Sequence, residues 1–148
     1  MLNNGMMTSK RQDWETPIKL FNELDNEFHF QCDLFASEEN SLCLYFYTKE
    51  NSAFDNLWYD RNFANPPYNT KIQNQAFHDA HINASVFNRT TVMLVPARTD
   101  TKRFHDFVFK YNYEIRFIKG RLKFGESKNP APFPSCLIIF KGSETNGI

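Results

Sequence analysis

The residues best suited to chemistry are Asn65-Pro66-Pro67-Tyr68, directly after the short apolar run Asn62-Phe63-Ala64. Two consecutive prolines set their own φ angles and remove two backbone donors, so the chain there is rigid and cannot continue a sheet. The Asn65 side-chain carbonyl and the Pro66 backbone carbonyl are both acceptors, and the proline rings fix where they point. A planar amino group donating two hydrogens fits that pair. Tyr68 adds a flat face on which a heteroaromatic ring can stack, worth about 1–3 kcal/mol for a nucleobase. The four residues read as a holder for an exocyclic amine on an aromatic ring. Such an amine is a poor nucleophile because its lone pair is delocalised into the ring. Accepting both hydrogens favours a tetrahedral nitrogen with an available lone pair, which can attack an activated methyl without a strong base. Pro-Pro pairs also occur in ordinary loops, so the surrounding elements decide between loop and site.

The elements that must position this clamp follow from pattern. Thr16 as N-cap and Pro17 at the first helical position start a helix to about Asn26, with Leu20, Phe21 and Leu24 at helical spacing. Residues 28–33 read as a buried strand presenting Asp33 at its carboxyl end, followed by a tight turn over 37–40. A second strand is predicted over 44–48 and a third over 61–64, which carries the clamp. Beyond Tyr68, the residues Ile72, Ala76, Phe77, Ala80 and Ala84 mark an amphipathic helix. The run 91–95 is β-branched and uninterrupted, the pattern of a central strand covered on both faces, and Pro96 ends it. Thr99 or Asp100 caps another helix, with Phe104, Phe107, Val108 and Tyr111 inward. Three β-like runs, 114–119, 121–124 and 135–140, close the chain around a loop at 125–134 too proline-rich for regular structure. This order gives an α/β sheet, mostly parallel with an antiparallel terminal strand pair. Ligands in such sheets bind outside the carboxyl ends of the strands, where Asp33 and Asn65 are both predicted to lie.

Composition narrows the class. A chain of 148 residues with 16 phenylalanines and only 5 glycines suits one globular core. We read 1–12 as a loose tail, 13–142 as one domain and 143–148 as a second tail. No apolar run approaches the roughly 20 residues needed to span a bilayer and no signal pattern opens the chain, so a soluble cytoplasmic protein is expected. Cys32, Cys43 and Cys136 form no CxxC and read as buried thiols; His78 and His81 have no partner at ligand spacing, so no metal site is expected. Net charge is zero, but it is unevenly placed. From Asp13 to Asp60 there are eleven acids and two bases, and from Arg98 to Lys128 nine bases and four acids. The second half can meet a phosphate backbone.

The ordered series Trp14-Glu15-Thr16-Pro17, Leu20-Phe21, Leu24-Asp25, Phe30, Asp33, Ala36, Asn40, Asn65-Pro66-Pro67-Tyr68, Pro96-Ala97-Arg98-Thr99-Asp100-Thr101, Phe104-His105, Lys119-Gly120-Arg121-Leu122-Lys123-Phe124 and Ala131-Pro132-Phe133 resembles the phage-type DNA N6-adenine methyltransferase (Dam) family. The likeness covers about residues 13–140. It implies a Rossmann-like class I methyltransferase fold, S-adenosylmethionine as methyl donor and adenine in DNA as acceptor. Asn65, Pro66, Pro67 and Tyr68 would then be catalytic, with the adenine flipped onto Tyr68. The resemblance assigns Thr16 and Pro17 to the donor's methionine end, places Asp33 and Ala36 in the first donor-binding motif, and leaves Trp14 and Asp55 as weaker donor-side candidates. Arg98, Thr99, Lys102 and Arg103, on the clamp's rim, and Arg121 and Lys123, alternating with Leu122 and Phe124, are the expected DNA contacts. The segment after Asp33, Leu-Phe-Ala-Ser-Glu-Glu-Asn, lacks the glycines that usually let a donor approach the backbone. That departure keeps a second reading open, a non-catalytic DNA-binding module derived from such an enzyme. A third is an N-methyltransferase acting on RNA or on protein amides through the same clamp.

Overall fold

The computed structural model describes residues 15–125 and 129–143. Trp14 and the expected N-terminal tail lie outside the described residues, as do 126–128 and 144–148. Among the described residues, three helices, α1 (Ile18–Phe28), α2 (Thr70–Ser85) and α3 (Lys102–Phe107), accompany six strands: β1 (Cys32–Asp33), β2 (Tyr45–Phe46), β3 (Arg61–Ala64), β4 (Thr90–Pro96), β5 (Glu114–Phe117) and β6 (Ser135–Phe140). The strands form one sheet in the order β2-β1-β3-β4-β6-β5. The pairs β1/β2, β1/β3 and β3/β4 are parallel, while β6 runs antiparallel to both of its neighbours, β4 and β5. The expected mixed α/β sheet is present.

Successive side chains of the central strands meet opposite faces of the sheet, as a pleat requires. Met93, Val95, Cys136, Ile138 and Phe140 face α2 and α3, meeting Ala76, Phe77, Ala80, Phe104 and Val108. On the opposite face Val92, Leu94, Leu137 and Ile139 meet Phe21 and Leu24 of α1, together with Phe124, Ala131 and Phe133 from the long loop before β6. Helices and the described residues of this loop thus cover both faces of β4, which is buried from Thr91 through Pro96. That double cover is why its sequence shows no polar alternation. Among the described residues no helix is long and apolar enough to cross a membrane.

Several sequence expectations change: Tyr111, expected inward, is exposed, and Cys43, expected buried, is half-buried. The expected strand over 28–33 shortens to Cys32–Asp33, because α1 continues to Phe28 and ends on a left-handed His29, whose N–H donates to the Asp25 carbonyl at 2.8 Å. Residues 121–124 form no strand; they are extended, held by Ala131 N–H to the Leu122 carbonyl at 2.7 Å and Gly125 N–H to the Glu15 carbonyl at 2.9 Å. The antiparallel terminal pair is therefore β5 with β6. Thr16 does not cap α1, since Pro17 occupies the N-cap position in an extended conformation with no side-chain cap bond. Neither Thr99 nor Asp100 caps α3; Thr101 does so positionally, while its hydroxyl turns back to donate to the Arg98 carbonyl at 2.7 Å.

Candidate active site

β1 and β3 lie side by side with Asp33 opposite Phe63, so Asn65 follows on the same carboxyl edge. From that edge the chain leaves β1 towards β2 on one side and leaves β3 towards β4 on the other. Where neighbouring connections diverge in this way, an open α/β sheet has a crevice for ligands. Sheet topology thus brings Asp33 and Asn65 to one place.

Asn65 is held from the chain's first described turn. Its Nδ2 donates to the Thr16 hydroxyl at 3.0 Å, which directs the acceptor end of the amide the other way. Pro66, buried, and Pro67, half-buried, follow. Neither has an N–H, so each offers only its carbonyl as a backbone hydrogen-bonding group. Gln73 takes both: its Nε2 lies 3.2 Å from the Pro66 carbonyl and 3.2 Å from the Pro67 carbonyl. The Pro67 carbonyl also accepts the Asn69 N–H at 2.8 Å, and the Asn69 side chain caps α2 by accepting from Ile72 N–H at 3.1 Å.

Tyr68 packs edge-to-face against Phe133, with ring centroids 5.1 Å apart, and against Phe124 at 6.2 Å. Burial pushes its hydroxyl well above the ordinary tyrosine range, so it is a neutral phenol at any working pH. The Arg98 guanidinium lies 5.9 Å from the centre of the Phe133 ring. An aromatic group with a cation at its rim therefore adjoins the amide and carbonyl acceptors. This combination can stack a planar heterocycle, accept hydrogens from its amino group and meet a nearby phosphate.

A model of the DNA N-6-adenine-methyltransferase (Dam) family matches residues 4–142 of the chain. The chain belongs to this family. No curated protein matches it.

The Dam family match spans every site residue singled out from the sequence. Asp33 is 4 % exposed, and its carboxylate accepts from the backbone N–H groups of Leu42, at 3.1 Å, and Phe35. Burial nevertheless dominates and pushes its pKa up to about 6. Among the described residues no basic side chain pairs with it. A desolvated carboxylate without a cation is an environment that a positively charged ligand relieves. The missing glycines leave no strain. No residue between Asp33 and Tyr45 adopts a positive φ, and the turn is made by the Asn40 side chain accepting from Ser37 N–H at 2.7 Å. Ala36 N–H extends the β1/β2 pairing by donating to the Tyr47 carbonyl at 3.0 Å. Asp55 is exposed in the short 3₁₀ turn Ala53–Asp55, which Ser52 caps. Pro17 stands between Thr16 and α1, and Trp14 lies outside the described residues.

The basic candidates divide by burial. Arg98, Lys102, Arg121 and Lys123 are exposed and Thr99 is half-buried. Lys102 pairs with Asp106 at 2.6 Å, and the Arg121 guanidinium reaches the Ala131 carbonyl at 3.4 Å. Arg103 is different: it is 9 % exposed, donates to the Asn74 side chain at 3.1 Å and lies over the face of Phe77. The fold engages Arg103 in joining α3 to α2. Two contributions were not visible as site signals. Gln73 sits one turn into an otherwise ordinary amphipathic helix, and Phe133 is hidden between Pro132 and Pro134. A polar residue on the apolar stripe of α2 is the signal that marks the first; the second stands in the Ala131-Pro132-Phe133 element of the family resemblance, with no role assigned to it there.

Proposed function

We propose that this Dam family member transfers a methyl group from S-adenosylmethionine to N6 of an adenine flipped out of DNA, on a Rossmann-like class I sheet. The observation that carries the reading is the Asn65 amide, tied to Thr16 at the carboxyl end of β3, beside the Pro66 carbonyl and the Tyr68–Phe133 aromatic pair. The antiparallel strand β6, inserted between β4 and β5, supports the fold assignment.

In this reading Tyr68 stacks on the extruded base and offsets part of the few kcal/mol lost on unstacking it. Asn65 Oδ1 and the Pro66 carbonyl accept the two N6 hydrogens. Each acceptor pulls the amine towards tetrahedral geometry and returns its lone pair to the nitrogen. When bound, the donor supplies an electrophilic methyl on a positively charged sulfur, whose C–S bond breaks, leaving its electron pair on sulfur, as the N–C bond forms. The nitrogen then carries a positive charge, which Asn65 and Pro66 stabilise until one hydrogen leaves to water. Asp33, Thr16 and Pro17 form the donor side of the crevice, with Ala36 on the same loop and Asp55 and Trp14 contributing at its margin. Arg98, Thr99, Lys102, Arg121 and Lys123 contact DNA phosphates or flanking nucleotides.

Transfer of labelled methyl from S-adenosylmethionine to unmethylated duplex DNA tests this directly, with the product nucleoside identified. We expect label in N6-methyladenine, its loss in Asn65→Ala with folding intact, and most activity kept in Tyr68→Phe because stacking survives. Undiminished activity in Asn65→Ala rejects the assigned role. No label and no donor binding would select the non-catalytic DNA-binding module; label in RNA or protein instead would select the third reading.

A further inference from the structure

Gln73 is 2 % exposed and lies on α2, outside the four residues of the clamp. Its Nε2 donates to two consecutive carbonyls, Pro66 and Pro67. Its Oε1 is buried without a hydrogen-bond partner. A buried acceptor in that state calls for an explanation. Turning the amide over would satisfy nothing, because it would set Oε1 against two carbonyl oxygens. The donor end is therefore locked onto the clamp, and the backbone of Gln73 is itself fixed, its N–H donating to the Asn69 carbonyl at 2.8 Å.

The two prolines make this contact consequential. With no N–H on residue 66 or 67, rotation of the Pro66–Pro67 and Pro67–Tyr68 peptides is restrained through their carbonyl oxygens, Pro66 by Gln73 and Pro67 by Gln73 together with the Asn69 N–H. A carbonyl oxygen has two lone pairs. With one taken by Gln73, the direction of the other is set relative to Asn65.

We propose that Gln73 is the positioning residue of this site, aiming the remaining lone pair of the Pro66 carbonyl at the second hydrogen of the target amino group. The inference rests on the methyl-transfer reading. It separates the two acceptors by origin: Asn65 is aimed by Thr16, and Pro66 by Gln73.

Gln73→Met keeps length and volume but donates nothing. We expect kcat to fall about 10- to 100-fold, the scale of a small misplacement of a reacting group, while KM for S-adenosylmethionine stays within about twofold, since uniform binding is untouched. Gln73→Glu supplies a readout that a packing role would not move. Its carboxyl group, buried against two carbonyl oxygens, donates only when protonated, so its kcat should fall as pH rises, on a limb absent from the wild type. Hydrogen exchange of the Asn69 N–H, which donates to Pro67, should quicken in Gln73→Met. Wild-type kcat in Gln73→Met overturns the proposal. If Gln73→Met fails to fold, the pH profile of Gln73→Glu decides, and a profile parallel to the wild type's overturns it. An inactive wild-type protein rejects the methyl-transfer reading instead; unchanged Asn69 exchange would then reject the orienting role of Gln73 as well, and faster exchange would uphold it.

Discussion

Thr16 shows how one side chain changes meaning between sequence and structure. Its spacing to Pro17 suits a helix cap, yet its hydroxyl accepts from Asn65 Nδ2 at 3.0 Å. Thr16→Val preserves shape and removes that acceptor. With the amide free to turn over, we expect kcat to drop about 10-fold, the worth of one hydrogen bond of about 1.4 kcal/mol, with unfolding by urea little changed. Asp33 adds a dependence on pH. Its carboxyl titrates at about 6 because burial disfavours the charged form. A cationic donor favours the ionised form, so affinity should be fullest above about pH 6 and be lost as pH falls through that value. Calorimetric titration with S-adenosylmethionine between pH 7.5 and 5 should show the weakening, and Asp33→Asn should flatten it. A slope that persists unchanged in Asp33→Asn would assign the titration to another group.

At the scale of elements, the site is built where regular structure stops. β1 and β2 are two residues long, and their connections to each other and to β3 contain no α-helix. Side chains do the work of helix packing there: Asp33 gathers the N–H groups of its own loop, and Trp58 Nε1 donates to the Ala53 carbonyl at 2.9 Å. The extended segment 121–124 buries Phe124 and leaves Arg121 and Lys123 outward without any strand partner. Its alternation was legible; its lack of pairing was not, because a period of two reports which face is covered and not what the backbone bonds to. The seam between the end of β6 and the loop before β4 is tight. Gly142 N–H donates to the Thr90 hydroxyl at 2.9 Å, and a Cβ at Gly142 would lie 2.7 Å from the Asn88 carbonyl carbon. Gly142→Ala should therefore destabilise the fold by about 1–3 kcal/mol, as overpacking against backbone does. A thermal melt equal to wild type would show that the seam opens freely.

Across the whole molecule, charge is polarised along the chain and then partly neutralised by folding. Arg116 pairs with Glu27 at 2.7 Å and with Glu114 at 2.6 Å, and Arg103 is buried against Asn74 and Phe77. The cations left exposed near the clamp include Arg98, Arg121 and Lys123. Arg98→Ala and Lys123→Ala should each weaken DNA binding across sequences and lower the slope of log K against log salt by about 1. Arg103→Met should leave that slope in place and lower the melting temperature instead. Equal slopes in all three variants would move the DNA surface elsewhere. What the sequence by itself made legible is the residues of the clamp, the alternation of strands and helices, and the central strand 91–95. These are local: two prolines, a period of 3.6 and an unbroken β-branched run act through neighbouring residues alone. What only the tertiary structure decided is the orientation of each acceptor, through Thr16 and Gln73, and the separation of Arg103 from the other cations. Hydrogen bonds between residues 16 and 65, and burial of residue 103 against residues 74 and 77, depend on which faces the sheet and helices bring together, and no spacing along the chain encodes that.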